Sequence, residues 1–462
     1  MVAKSSALFP TVYPRGVSLA RCPSVPGLAA REPRFIRPEA TGPTVVDALR
    51  RHVPRYLDKR GASLPLYQRA VLGKLLACRT AAFGGHAWQC PSCQEAHFVY
   101  DSCKDRHCPT CSGSRRHDWL EWMLSPERLP ATPFMHVVFT LPHELCALVR
   151  LNPGPLYRLF FQVASQSLLV LGKKELDARL GLTMVLHSWG SHLNHHPHIH
   201  CVATAGGPSL DGMRWIAAAD CHSFVSCESL AARLRRRYLA GIERLYRGAK
   251  LVLPRSLAAN DSPVALERWL APVAAKDWRV HVQAPPRHCE DAAAVLKYLA
   301  RYVSGAAIHD GRIESVDDGS VTFMAKNYRQ GTRGPLTLSG EEFVRRFLIH
   351  VLPPRLRRLR ECGLFAPHKR AENMELCRRL LACSNAALKQ PPEVNEPEND
   401  TAAHEEVQQD PPERPCPRCG VTMIWLGKLT ADAIRRLRDQ RTPLFAPLVW
   451  GDLTAQLPRP ES

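Results

Sequence analysis

At 462 residues the chain is long enough for two or three folding units, each able to bury a core of its own. Hydrophobic residues make up 45% of the chain and charged residues 23%. No apolar run approaches the roughly 20 residues of a membrane-spanning helix, and the proline-broken start lacks the core of a signal peptide. A soluble, cytoplasmic protein is expected. The net charge of +19 (62 Lys and Arg against 43 Asp and Glu) favours a polyanionic partner, of which nucleic acid is the commonest.

Residues 1–44 are rich in Pro, Arg and Gly without a sustained period and predict a disordered basic arm. Residues 45–125 predict a helical, zinc-binding N-terminal domain. Within it, "VVDALRRHVPRYL" and "LYQRAVLGKLLAC" carry apolar residues at helical spacing ahead of a cysteine cluster. Residues 130–385 predict a second domain. "MHVVFTL" reads as a buried strand closed by Pro142, and "LYRLFFQVASQSLLVLGKK" as a helix. "LTMVLHSW" and "HIHCVAT" read as strands, the second running into a Gly206-Gly207 turn. A long basic helix covers "CESLAARLRRRYLAGIERLYRGAK". "WRVHVQAP" and "SVTFMAKNY" add strands, "DAAAVLKYLARYV" a helix between them, and "GEEFVRRFLIHVLP" another helix. This mixed order, with hairpin-compatible gaps, predicts an α+β fold with a largely antiparallel sheet. Residues 386–414 form an acidic, proline-rich linker, and 415–462 a short C-terminal segment carrying "CPRCG".

The spacing of the 17 cysteines points to metal rather than to a disulfide scaffold. "CPSCQEAHFVYDSCKDRHCPTC" holds Cys90 and Cys93 in one knuckle and Cys108 and Cys111 in another, with fourteen residues between the pairs. These four predict one structural zinc site, with no open position for catalysis and with metal binding supplying folding energy. Cys103 and His107 are alternatives for one of the four or, with His86, for a second ion. Lys104, Arg106, Arg115 and Arg116 suit phosphate contact or a solvated face. Cys416 and Cys419 are half a site, and a metal role for them requires another segment.

Five histidines, His192, His195, His196, His198 and His200, fall within nine residues. On an extended strand His198 and His200 share one face while Ile199 points into the opposite layer, so two neutral imidazoles form a ready pair of divalent-metal ligands. A third ligand is needed, and His196 and His187 are the candidates. On the helix over 291–303, Ala292, Val295, Leu296, Leu299 and Val303 form an apolar face, and Tyr298 and Tyr302 stack one turn apart along its edge.

The cysteine cluster, the His-Ile-His strand and the Tyr-x-x-x-Tyr helix together resemble the two-tyrosine HUH-superfamily rolling-circle transposases, the insertion-sequence enzymes with an N-terminal zinc-binding domain. The resemblance runs from about residue 45 to 383 through "SCKDRHCPTC", "VVFTLPHEL", "LHSWGSHLNHHPHIHCV", "YLARYV", "VTFMAKNYR" and "EEFVRRFLIHVLP". It implies an HUH endonuclease-like antiparallel sheet, with His198 and His200 holding catalytic Mg²⁺ or Mn²⁺. Tyr298 and Tyr302 are implied as nucleophiles, and Cys90, Cys93, Cys108 and Cys111 as ligands of structural Zn²⁺. The implied activity is cleavage and rejoining of single-stranded DNA, at the ends of a mobile element and at target sites, by tyrosine transesterification. The chain departs from the family pattern at Ser304-Gly305, where a basic residue is expected. The competing readings are a rolling-circle replication initiator with the same parts and a non-catalytic zinc-dependent DNA-binding protein.

Overall fold

A computed structural model describes residues 34–35, 42–93, 96–112, 132–218, 226–283, 306–327, 330–388, 415–416 and 418–432, with a few positions between 119 and 130. A two-residue strand β1 (Arg34–Phe35) lies within the arm expected to be disordered, and it pairs in parallel with β3 (Ala96–Tyr100). Helix α1 (Val45–Arg60) starts where the side chain of Thr44 accepts from the backbone of Asp47 while the Asp47 carboxylate accepts from the backbone of Thr44. This reciprocal cap satisfies two donors that a helix start otherwise leaves open. Helix α2 (Leu66–Leu76) follows, and then β2 (Gly85–Gln89), which pairs antiparallel with β3.

The central sheet contains β4 (Phe134–Thr140), β5 (Gly181–Trp189) and β6 (His195–Thr204), with α3 (Cys146–Leu151) and α4 (Pro153–Leu176) between β4 and β5. After the small hairpin β7 (Gly206–Pro208) and β8 (Trp215–Ala217) come α5 (Cys227–Arg247), α6 (Arg255–Ala258), α7 (Pro263–Ala275) and β9 (Val280–Gln283). A three-stranded sheet of β10 (Ile313–Val316), β11 (Ser320–Lys326) and β12 (Arg333–Ser339) leads into α8 (Gly340–Leu348). The chain then adds β13 (Leu359–Gly363), α9 (Arg370–Leu388) and β14 (Ile424–Leu429).

The central sheet has the order β13-β5-β6-β4-β9, antiparallel throughout. Alternation puts Met135, Val137 and Phe139 of β4, Leu182, Met184 and Leu186 of β5, and Ile199, Cys201 and Ala203 of β6 on one face. These side chains pack with Phe160 and Leu168 of α4 and Leu234, Tyr238 and Ile242 of α5 in the largest core. Each large side chain buried there contributes roughly 1.5–3 kcal/mol. The opposite face carries the histidines. The α+β, largely antiparallel architecture expected from sequence is thus present.

A second core joins distant parts of the chain. Leu49 and Val53 of α1 and Leu72 and Leu75 of α2 pack with Phe323 of β11 and with Phe343 and Phe347 of α8. Gly206 and Gly207, expected as a turn, instead begin β7 and pair with Ala217 and Ile216. The reason for the glycines is close approach. Gly206 has φ 155°, and a Cβ on Gly207 would lie 1.9 Å from the Arg179 carbonyl oxygen. The helix expected over 291–303 lies outside the described residues. Among the described residues no helix is long and apolar enough to cross a membrane.

Candidate functional site

Register brings the histidine site together. His187 of β5 pairs with His198 of β6, and Val185 of β5 pairs with His200, so the three imidazoles emerge on one face of neighbouring strands. Their ligand nitrogens lie within 4.8 Å of one another. His187 is therefore the third member, the position sequence left open between it and His196. His196 contributes its carbonyl, to which His198 Nδ1 donates at 2.8 Å. His200 Nδ1 lies 2.9 Å from Nε2 of His136, a residue of β4 whose ring stacks on it. With Nδ1 of His198 donating to that carbonyl, its Nε2 is the nitrogen whose lone pair a cation would use.

Desolvation fixes the charge state of these rings. Burial lowers His198 to about 4, with the neighbouring charge of His196 adding to the effect. His136 is likewise lowered to about 4, by burial and by His281, and His200 is pushed well below its ordinary value by burial and by His187. Imidazoles that stay neutral at physiological pH keep the lone pair that a metal needs. The donor set of three imidazoles therefore fits a divalent cation.

The remaining histidines of the cluster have other duties. His195 Nε2 is 3.0 Å from the hydroxyl of the buried Tyr157, and burial lowers its pKa to about 3. His192 is exposed, and its carbonyl accepts from Arg346. Trp189 stacks on His187 with centroids 4.4 Å apart, and the Arg358 guanidinium lies over the Trp189 ring. Tyr298 and Tyr302 lie outside the described residues.

The cysteines require a correction. Cys90, Cys93, Cys108 and Cys111 do not form one site: the sulfurs of the two knuckles belong to two separate quartets. Cys108 and Cys111 join Cys78, at the end of α2, and Cys103, with Sγ–Sγ distances of 3.6–3.7 Å. Cys90 and Cys93 join Cys416 and Cys419. The physical reason is the β2–β3 hairpin, which runs between the knuckles and carries Cys90 to the far end from Cys103. In the first quartet, hydrogen bonds from Cys103, Cys108 and Cys78 hold the Cys111 thiol below its ordinary value, while the surrounding thiols push Cys108 up. Four thiols this close ionise together only beside a cation.

Three further sequence candidates are accounted for by structure. His107 Nδ1 sits 2.9 Å from Asp105, and its Nε2 accepts from the backbone N–H of Leu352, so it anchors the first quartet to the C-terminal half instead of ligating. His86 pairs with Asp101. Arg106 donates to the carbonyls of Leu352, Pro353 and Leu356 and is a packing residue, not a phosphate contact. Helix α5, the long basic helix, covers the apolar face of the central sheet, opposite His198 and His200.

Comparison with known proteins now gives the class. Residues 48–141, holding the first quartet, match the family described as "Transposase zinc-binding domain", and residues 181–373, holding the histidine group, match "Putative transposase". The chain is a transposase with a zinc-binding domain. It is 37% identical over 382 residues to "Putative transposase y4qJ" of Sinorhizobium fredii, covering 82% of this chain and 93% of the relative. It is 27% identical over 299 residues to "Transposase for insertion sequence element IS801" of Pseudomonas savastanoi pv. phaseolicola, covering 63% of this chain and 69% of the relative. It belongs to the IS91-type insertion-sequence transposases, a rolling-circle family. No solved structure matches it.

Proposed function

We propose that the central sheet is an HUH nuclease sheet and that the protein cuts and rejoins single-stranded DNA in the cytoplasm, with His187, His198 and His200 holding Mg²⁺ or Mn²⁺ and Tyr298 and Tyr302 attacking the phosphate. The observation that carries this reading is the group of three imidazoles on paired strands, oriented by His136 and the His196 carbonyl, in a chain of the transposase family. A cation there supplies Lewis-acid polarisation of the scissile phosphate. The protein's own residues do the rest. The phenol oxygen of one tyrosine bonds to phosphorus as the 3′ oxygen leaves, and the proton lost by the phenol is balanced by one gained on that oxygen. The products are a 5′-phosphotyrosine and a free 3′-OH. Because the phosphoester bond is conserved in the link to the enzyme, rejoining requires no nucleotide hydrolysis.

The residues flanking 284–305 support a reading in which the tyrosines meet the histidines. Gln283, just before it, pairs with His136 of β4 at one edge of the sheet. Ala306 and Ala307, just after it, line a small cavity with Trp189, the residue that stacks on His187. The described residues on either side of it thus lie near the histidine-bearing strands. Two nucleophiles one helical turn apart let one hold a cut strand while the other attacks.

Labelled single-stranded DNA incubated with the protein and Mn²⁺ is expected to give an adduct that survives denaturation. The Tyr298→Phe, Tyr302→Phe double variant is expected to give none. Adduct formation undiminished in that variant overturns the assignment of these nucleophiles.

A further inference from the structure

The structure assigns a second zinc site to Cys90, Cys93, Cys416 and Cys419, one that fastens the C-terminal strand β14 to the N-terminal sheet; we propose that the intact protein carries two zinc ions. The zinc-binding family match ends at residue 141, so half of this ligand set lies outside it.

The sulfurs of Cys90 and Cys419 are 3.4 Å apart, those of Cys93 and Cys416 3.7 Å, and those of Cys93 and Cys419 3.8 Å. Four thiolates at a zinc–sulfur bond length of about 2.3 Å occupy tetrahedral corners about 3.8 Å from one another. A disulfide requires sulfurs about 2.05 Å apart, and none of these pairs comes near it. Cys90 and Cys416 are fully buried, in a small cluster with Trp88 and Met423, while Cys419 sits at the surface.

The C-terminal pair is also shaped as a knuckle. The Gly420 N–H donates to the Cys416 carbonyl at 2.8 Å, the Cys416 N–H donates to the Val421 carbonyl at 2.8 Å, and Pro415 bridges to Thr422. Gly420 takes φ 76°, a conformation other residues adopt only with strain, so the tight turn after Cys419 calls for glycine.

Strand β14 packs little apolar surface of its own. It pairs antiparallel with β2, Ile424 opposite Gln89 and Leu429 opposite Gly85. Yet Ile424, Trp425 and Leu426 are all exposed, and only Met423 beside the strand is buried. A strand that buries so little apolar surface does not offset the entropy of ordering it at the end of a long connection. Metal coordination supplies the missing free energy, as it does in small zinc-stapled modules.

The test is metal content of the full-length chain, purified under reducing conditions and measured by elemental analysis, a readout independent of strand transfer and of the tyrosine assignment. Two zinc ions per chain are expected for the wild type and one for the Cys416→Ser, Cys419→Ser variant. The Cys90→Ser, Cys93→Ser variant is also expected to hold one. The site of Cys78, Cys103, Cys108 and Cys111 remains loaded in both, and in the cobalt-substituted chains it gives a tetrahedral thiolate spectrum at half the wild-type intensity. Cys419→His, which keeps a zinc-competent ligand, is expected to retain two ions and so separates ligand loss from misfolding. One zinc in the wild type, two in the Cys416→Ser, Cys419→Ser variant, or a disulfide count that consumes these cysteines overturns the proposal.

Discussion

At the scale of single residues, His136 shows how a site depends on groups that never touch its ligand. Its Nε2 lies 2.9 Å from Nδ1 of His200 and its ring stacks on that of His200, so it holds the orientation of the His200 ring. Removing such an orienting partner typically weakens metal binding 10–100-fold. His136→Phe keeps the ring packing and removes the hydrogen-bonding nitrogen; its Mn²⁺ affinity, followed by the electron paramagnetic resonance signal of the free ion, is expected to fall by about that factor. Unchanged affinity means that His136 only packs. His198 and His200 were legible in the sequence because a two-residue period fixes their common face. His187 was legible as one of two alternatives, and the pairing of β5 with β6 places it beside His198 and His200. His136 was not legible: it lies on a strand some sixty residues earlier, and a lone histidine in "MHVVF" gains meaning only once β4 is seen beside β6.

At the scale of elements, long periodic segments announced themselves and short or edge segments did not. Strands β4, β5 and β6 and helices α4 and α5 follow strongly patterned apolar runs. Strand β12 contains Gly334 and Pro335, which argue against a strand, yet it forms the edge of its sheet, where a missing N–H does least harm. The cysteine quartets were half legible: spacing reveals the knuckles, but which knuckles meet is set by a contact across more than three hundred residues. The joint between α1 and α8 illustrates a similar long-range fit. Gly340, the first residue of α8, faces the buried ring of His52, and a Cβ there would lie 2.0 Å from His52 Nδ1. Gly340→Ala is therefore expected to destabilise the protein by about 1–3 kcal/mol, the range for overpacking a buried contact. Gly334→Ala, whose Cβ would meet nothing within 4 Å, serves as the control and is expected to change stability by less than about 0.5 kcal/mol. Equal urea midpoints for the two variants would show that the α1–α8 joint yields freely.

At the scale of the whole molecule, the second core joins residues 45–76 to residues 307–351, and histidines are built into its boundary with the central sheet. His350 is buried there, its Nδ1 3.1 Å from the Ser188 hydroxyl and its Nε2 3.1 Å from the Leu193 carbonyl, and burial lowers its pKa to about 4. His136 and His198 are also lowered to about 4 and His195 to about 3, each chiefly by burial. In the unfolded chain these rings take up protons near the ordinary histidine value of about 6.5; in the folded chain they do not until far lower pH. Between those values the unfolded state binds more protons, so stability is fully present above about pH 6.5 and is lost as pH falls toward 4. Each such histidine removes up to about 1.4 kcal/mol per pH unit inside that window. Urea midpoints are therefore expected to drop steeply from pH 7 to pH 5. Protonation of zinc-bound thiolates acts in the same direction, and the His350→Gln variant separates the two effects. It loses one titrating ring and no cysteine, so its midpoint should start lower at pH 7 yet fall less over the same interval. A wild-type midpoint that does not move between pH 7 and pH 5 would mean that the buried rings accept protons without unfolding; a His350→Gln profile parallel to wild type would assign the acid sensitivity to the metal sites alone.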